Sequence, residues 1–90
     1  MATSLFTLGQ TVITRPTLDV LNLEDVNRSI ERHASGDWGD LCNHDRGEND
    51  HALVHGGRLF SVYHDRMNTK FYVISESDRS VTTVLLPDDY

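Results

Sequence analysis

The alternation of apolar and polar positions predicts a strand and a short helix near the start of the chain. Residues 6–14 (FTLGQTVIT) are rich in β-branched side chains, which favours a strand that is interrupted at Gly9. Arg15 and Pro16 end this strand, and proline is well suited to the first turn of a helix. We therefore expect a short helix over residues 17–21.

A longer helix with a buried stripe is predicted after Asn22. Asn22 and Asp25 have the spacing of a capping box, in which Asn22 is the N-cap and Asp25 reaches back to it. Apolar side chains then recur at spacings of three and four, which is the period of a buried helical face. They are Leu23, Val26, Ile30 and Ala34. The helix should end near Ser35 and Gly36.

A third helix is predicted over residues 43–54, and the glycine pair at 56–57 would close it. Its apolar side is weak and consists of Cys42, Ala52 and Leu53. Asp45 and Asn49 lie on the same side of this helix. Because polar side chains that face a core need hydrogen-bond partners, they either join a structural network or line a site near Trp38.

Three strand-like runs follow at residues 58–64, 70–75 and 81–86, and their short connections favour an antiparallel meander. One face is predicted to carry Phe60, Val62, Tyr72, Ile74, Val84 and Leu86. The opposite face is predicted to carry Leu59, Tyr63, Phe71, Val73, Val81 and Leu85. Both faces are apolar enough for burial, one against the helices and the other against something else.

Together these segments predict an α+β fold. An N-terminal strand and two to three helices would pack on a C-terminal three-stranded antiparallel meander, in a mixed or antiparallel sheet of three to four strands. The 90 residues are expected to form a single domain over residues 1–90. A chain of this size buries little more than about 60% of its unfolded surface, so its margin of stability is thin.

The charge, the cysteine content and the lack of long apolar runs limit the possible partners, disulfides and cellular location of the protein. The formal charge is −6, from 14 acidic and 8 basic residues, so direct nucleic-acid binding is disfavoured. The acidic balance suits either solubility or docking to a basic partner surface. The single cysteine permits no intramolecular disulfide. No signal peptide and no apolar run of membrane-spanning length is visible, so a cytoplasmic protein is expected.

The segment at residues 33–40 (HASGDWGD) is the most unusual in composition. Glycines flank Trp38, and Asp37 and Asp40 would be exposed in a concave loop that could hold a ligand. In the favoured structural alternative, Trp38 fills the gap between the helices and the sheet, while Asp40 caps the next helix.

Basic and aromatic residues of the meander suggest a second candidate site. Arg58, Tyr63, His64 and Arg79 are groups that could cleave RNA without a metal, with histidine as acid or base and arginine against the developing charge. In the alternative use, Asp78 forms an Asx turn between the last two strands. Arg79 would then pair with a carboxylate such as Asp37 or Asp40.

A histidine stripe on the third helix raises the question of a metal site. His44, His51 and His55 follow one another on one side with Glu48 between them, and His51 and His55 have a spacing that suits one metal ion. A solvated helix face is the favoured alternative, and no cofactor is expected. Cys42 would need a histidine base to act as a nucleophile, so a small buried thiol is the favoured interpretation.

Four strings of the sequence form a recognisable pattern: SGDWGDL (35–41), GGRLFSVY (56–63), ESDRSVTTVLLPDDY (76–90) and the opening LFTLGQTVITRP. This pattern resembles a family of small, mostly uncharacterised bacterial proteins that are encoded on plasmids, integrative elements and phages. The resemblance implies a protein carried by a mobile element, and hence a modulator of host defence. The positions that it implies are shared are Asp37, Trp38, Gly39, Asp40, Asp45, Asn49, Arg58, Asp78, Arg79 and Thr82.

Three functions follow as hypotheses. The leading one is a non-enzymatic interaction module that binds a host or element-encoded protein, of anti-CRISPR or anti-restriction type. The candidate binding residues are Asp37, Trp38, Asp40, Asp45, Asn49, Arg58, Asp78 and Arg79. The second is a metal-independent ribonuclease toxin similar in its order of elements to the RelE/ParE toxins, which is an analogy of fold alone. The third is a structural homodimer that pairs through the open sheet face.

Overall fold

The structure is a computed structural model, and it describes residues 4–90 of the chain. The helices are α1 (Arg15–Val20), α2 (Leu23–Ala34) and α3 (Asn43–His55). The strands are β1 (Gln10–Ile13), β2 (Leu59–His64), β3 (Lys70–Ser75) and β4 (Val81–Leu85), and a 3₁₀ turn spans Pro87–Asp89. This is the predicted α+β fold. The expectation of no signal peptide rests partly on residues 1–3, which lie outside the described residues.

The four strands form one mixed sheet in the order β1-β4-β3-β2. Strands β2, β3 and β4 form the predicted antiparallel meander, while β1 runs parallel to β4 at the edge. None of the helices formed within residues 4–90 is both long enough and apolar enough to span a bilayer.

The register of β4 corrects the predicted assignment of the two sheet faces. Val84 lies opposite Val73, and Leu85 lies opposite Tyr72. Val84 and Leu86 therefore lie on the face that was predicted for Leu85. Val81 and Leu85 lie on the face that was predicted for Val84. The cause is the turn before β4, in which the Glu76 amide pairs with the Val81 carbonyl. Because side chains alternate along a strand, a register one residue away from the expected one moves every side chain to the other face.

The helix face of the sheet, defined by Leu59, Tyr63, Phe71, Val73 and Val84, is fully buried. Helix α2 packs on it with Val26, Ser29, His33 and Ala34, whereas Leu23 is exposed and was wrongly predicted to be buried. The imidazole of His33 forms hydrogen bonds with two serines of the sheet, which turns that side of α2 inward.

Local signals place the ends of α2 and α3 correctly, with one exception. The Asn22 side chain accepts the Asp25 amide as predicted, and Gly56 closes α3. The Asp25 carboxylate does not reach back to Asn22, because it binds the Arg66 guanidinium through two contacts of 2.9 Å. Sequence spacing could not reveal this partner, which is 41 residues away along the chain.

Candidate functional site

The segment around Trp38 covers the free edge of β2. Trp38 is only 3% exposed, and its carbonyl accepts the Val62 amide at 3.1 Å. The Asp40 amide in turn donates to the Val62 carbonyl at 2.8 Å, and Gly39 lies between them with a φ of +71°. The indole therefore fills the gap beside the sheet, as expected if the segment has a structural role.

Asp37 and Asp40 each hold a basic side chain in place. The Arg32 guanidinium donates to both oxygens of Asp37, at 2.8 and 3.2 Å, and this lowers the pKa of the carboxyl. Asp40 lies 2.7 Å from Nδ1 of His64. Asp40 therefore does not cap α3 as predicted, since Cys42 occupies the N-cap position. Cys42 is also exposed, which corrects the expected buried thiol.

A buried chain of hydrogen bonds joins α2 to three strands. The sequence pattern did not predict it. His33 Nδ1 lies 2.6 Å from Ser61 Oγ, and His33 Nε2 lies 3.0 Å from Ser75 Oγ. Ser75 Oγ is 2.6 Å from Thr82 Oγ1, which donates to the Leu8 carbonyl at 2.7 Å. The one available signal was that position 33 falls on the helical period of the buried stripe.

The last acceptor fixes the direction of the protons between the Leu8 carbonyl and Nε2 of His33. A carbonyl oxygen only accepts, so Thr82 donates to Leu8 and must itself accept from Ser75. Ser75 then accepts from Nε2–H of His33. Since burial keeps the imidazole neutral, Nδ1 carries no proton and accepts from the Ser61 hydroxyl. Burial, aided by the nearby charge of Arg79, lowers the pKa of His33 from 6.5 to about 4.

Asn49 ties α3 to the edge of β2. Its amide group donates to the Phe60 carbonyl at 2.7 Å and accepts the Phe60 amide at 3.1 Å. This pair of bonds has the pattern that a neighbouring strand would make with β2. It also satisfies the hydrogen-bonding groups of the Asn49 side chain, which is buried. Of the two uses predicted for Asn49, these contacts are those of a structural network.

Arg79 is also held by backbone carbonyls. It has a φ of +60°, and its guanidinium donates to carbonyl oxygens of three separate segments. These are Gly57 at 2.6 Å, Glu76 at 2.9 Å and Ala52 at 3.1 Å, the last of which belongs to the final turn of α3. The predicted pairing of Arg79 with Asp37 or Asp40 is therefore wrong, since Asp37 and Asp40 have other partners. Asp78 forms the predicted Asx turn with the Ser80 amide at 3.0 Å.

The four groups proposed for RNA cleavage are each engaged separately. Arg58 pairs with Glu76 at 3.2 Å, and the buried Tyr63 hydroxyl donates to the Asp37 carbonyl. Burial raises the pKa of Tyr63 to about 12. Arg58 and His64 are six residues apart along an extended segment, a separation of about 20 Å. These groups do not converge on one point.

The histidine stripe of α3 faces solvent. His44, His51 and His55 are all exposed, and the rings of His51 and His55 have centroids 4.4 Å apart. Within residues 4–90, no three histidine, cysteine or carboxylate side chains are grouped so that they could hold a metal ion.

The outer face of the sheet, defined by Phe60, Val62, Tyr72, Ile74 and Leu85, carries an aromatic cluster. Phe60 and Tyr72 have ring centroids 4.8 Å apart, and Tyr90 packs edge-on against both, at 6.0 and 5.8 Å. Tyr90 returns over the sheet after the 3₁₀ turn, and the Thr14 hydroxyl donates to Asp89 at 3.1 Å beside it. The outer face is therefore partly covered by the chain itself.

Two cavities flank Tyr90, and Arg58 lines both. The first has a volume of about 320 Å³ and lies between α3, Phe60 and Tyr90. The second, of about 310 Å³, has a floor of Ile74, Thr83 and Leu85. We name this surface the aromatic groove, which consists of Phe60, Tyr72, Tyr90 and Arg58 with the two cavities. Its carboxylate rim consists of Asp45, Glu48, Glu76 and Asp89.

Of the candidate binding residues, the aromatic groove brings together Asp45, Asn49 and Arg58. The others lie outside it and hold loops, edges or turns: Asp37, Trp38, Asp40, Asp78 and Arg79. Sequence reasoning placed Phe60 and Tyr72 on one face but missed Tyr90, because no periodic pattern extends beyond the last strand.

Comparison with known proteins adds no relative to this description. No family model matches the chain, and neither a curated protein nor a solved structure is significantly similar to it. The resemblance to a family of plasmid and phage proteins therefore stays a prediction.

Proposed function

We propose that this protein is an interaction module that binds a basic protein surface through the aromatic groove. The observation that carries the proposal is Tyr90, which is 67% exposed although it contacts two other aromatic rings on the sheet. Tyrosine is enriched at protein interfaces because it offers a large apolar ring together with a polar hydroxyl.

The charge around the groove supports a partner with lysine or arginine side chains at its rim. The groove rim holds four carboxylates against one guanidinium, that of Arg58, and Glu76 already pairs with it at 3.2 Å. The net charge of −6 has the same sign as the rim. Complementary charge steers the encounter of two proteins and rejects acidic partners such as nucleic acid.

The shape of the groove supports apolar anchors on the partner. Each cavity is at the small end of the size range of ligand sites, but two cavities of similar volume lie on either side of Tyr90. Two apolar side chains of one partner could occupy them together, with Tyr90 between them. Buried anchors in separate pockets are the usual source of affinity in protein interfaces.

We extend the proposal to a host or element-encoded protein as the partner, including a restriction or CRISPR complex. This step is supported by the sequence resemblance alone. The ribonuclease alternative is less favoured, because Arg79 is occupied by backbone carbonyls and because Arg58 precedes β2 whereas His64 ends it.

Capture from host lysate with a charge-reversal pair tests the proposal. Glu48 lies on the groove rim, whereas Glu31 is exposed on α2 outside it. Tagged wild-type protein is expected to retain one dominant partner in stoichiometric amount. Glu48→Lys should weaken this binding about tenfold, the effect of about 1.4 kcal/mol, because it places a cation against a basic partner.

Glu31→Lys makes the same change of net charge and should leave binding unchanged. An increase in salt should weaken the wild-type complex, since the attraction is screened. Empty captures from several host lysates would contradict the proposal. Equal loss of binding in the Glu48 and Glu31 variants would also contradict it, because the interface would then not lie at the groove.

A further inference from the structure

The two edges of the sheet are treated differently by the fold. The edge at β2 is covered, since the Trp38 segment and the Asn49 amide both pair with its backbone. The edge at β1 is open: within residues 4–90, only β4 pairs with it. Open edge strands offer unpaired amides and carbonyls to other chains, and proteins usually blunt them with charge, proline or a bulge.

The hydrogen-bonding groups on the open edge can be identified from the ladder. The Gln10 amide donates to Ser80 at 2.9 Å, and the Thr14 amide donates to Val84 at 3.1 Å, both toward β4. Bonding direction alternates along a strand, so the amides and carbonyls of Thr11 and Ile13 point away from the sheet. Thr11 is exposed and Ile13 is half-buried.

We propose that β1 pairs in antiparallel fashion with β1 of a second copy of this chain, about a two-fold axis that passes midway between the two Val12 residues. Thr11 of each copy then lies opposite Ile13 of the other. Both are hydrogen-bonded pairs in such a ladder, so the two copies exchange four main-chain bonds. Val12 lies opposite its own symmetry mate, in a position where opposite Cα atoms are about 4.5 Å apart.

The chemistry of β1 favours a second copy over an unrelated strand. Thr11 and Ile13, whose amides and carbonyls point outward, are two residues apart. The two-fold axis therefore brings the amide and carbonyl of each one opposite the carbonyl and amide of the other in the second copy. The strand is uncharged (QTVI), so two chains of net charge −6 can meet there without bringing like charges together. Val12, which is 39% exposed on the outer face, is partly shielded from water by its symmetry mate in the pair.

The pairing closes at a dimer and extends the proposed binding surface. Since the β2 edge is already covered, the product is one eight-stranded sheet with no further open edge in the described residues. The axis is perpendicular to this sheet, so both aromatic grooves lie on the same face. Two grooves on one face would allow a repetitive or dimeric partner to bind with increased avidity.

Sedimentation velocity between about 10 μM and 1 mM tests the dimer, a range suited to a small interface. The wild-type protein should shift from monomer to dimer as its concentration rises. Val12→Lys should stay a monomer, because two ammonium groups would meet at the axis. Val54→Lys is the matched control, since Val54 is 76% exposed on α3 and the net charge changes equally. It should dimerise like the wild type.

Disulfide cross-linking provides a second test that does not depend on the folding of the lysine variant. In a Cys42→Ser background, Val12→Cys should form a covalent dimer on oxidation, because disulfides span Cα separations of about 4.4–6.8 Å. Val54→Cys in the same background should not. A wild-type monomer at every concentration would overturn the proposal. So would a Val12→Lys protein that dimerises normally, or equal cross-linking of the two cysteine variants.

Discussion

Gly39→Ala is expected to destabilise the protein by at least about 3 kcal/mol, which is a large share of the total stability of a 90-residue domain. The φ of +71° at this position is unfavourable for any residue with a Cβ atom. A Cβ atom there would also overlap the Val62 carbonyl oxygen and approach the Tyr63 ring to 2.7 Å. To relieve this overlap, the Trp38 segment must leave the β2 edge, which exposes the indole.

Urea unfolding followed by tryptophan fluorescence measures this effect. Gly47→Ala is the control, because Gly47 lies inside α3 and a Cβ atom there meets nothing within 4 Å. The control should gain about 0.5–1 kcal/mol from the higher helix propensity of alanine. Equal unfolding midpoints for the two alanine variants would contradict the close packing of Gly39 against Val62.

The free energy of unfolding is expected to fall by about 3 kcal/mol between pH 7.5 and pH 4, because His33 is buried in its neutral form. The pKa of His33 is about 4 in the folded protein against 6.5 for the free group. Below pH 6.5 the unfolded chain therefore binds a proton that the folded chain does not bind. The stabilising contribution is complete above pH 6.5 and is lost as the pH falls toward 4.

Urea unfolding at a series of pH values provides the measurement. His33→Gln removes the titrating group, so its stability should be lower at pH 7.5 but should change little from there to pH 4. His51→Gln, at an exposed position on α3, should keep the wild-type pH dependence. Asp25 acts in a separate window, because Arg66 lowers its pKa from 3.8 to about 2. An unchanged slope in His33→Gln would show that other groups cause the pH dependence.

Much of the fold could be predicted because its signals are local. The Asn22 cap, the glycine that follows α3 and the strands β2 and β3 depend on residues close to one another in the sequence. The prediction failed where the position of a side chain depends on a partner that is distant in the sequence. Asp25 binds Arg66 and Asp40 binds His64, and neither pairing has a periodic signature.

The candidate site could be predicted only in part, for a related physical reason. Asp45, Asn49 and Arg58 were identified, but the aromatic groove also requires Tyr90 to return across the sheet. Tyr90 comes after the last strand, so hydrophobic periodicity contains no information about its position. The β4 face was likewise assigned wrongly, because the register depends on the turn between Glu76 and Val81, in which Arg79 has a φ of +60°.

The most direct test of the proposed interaction is site-specific photo-cross-linking inside a host cell. A photoreactive phenylalanine analogue replaces Tyr90 in one variant and Met67, an exposed residue of the β2–β3 loop, in the other. We expect position 90 to cross-link to one discrete host or element-encoded protein and position 67 to give no such product. No product from position 90, or the same product from both positions, would contradict binding through the aromatic groove.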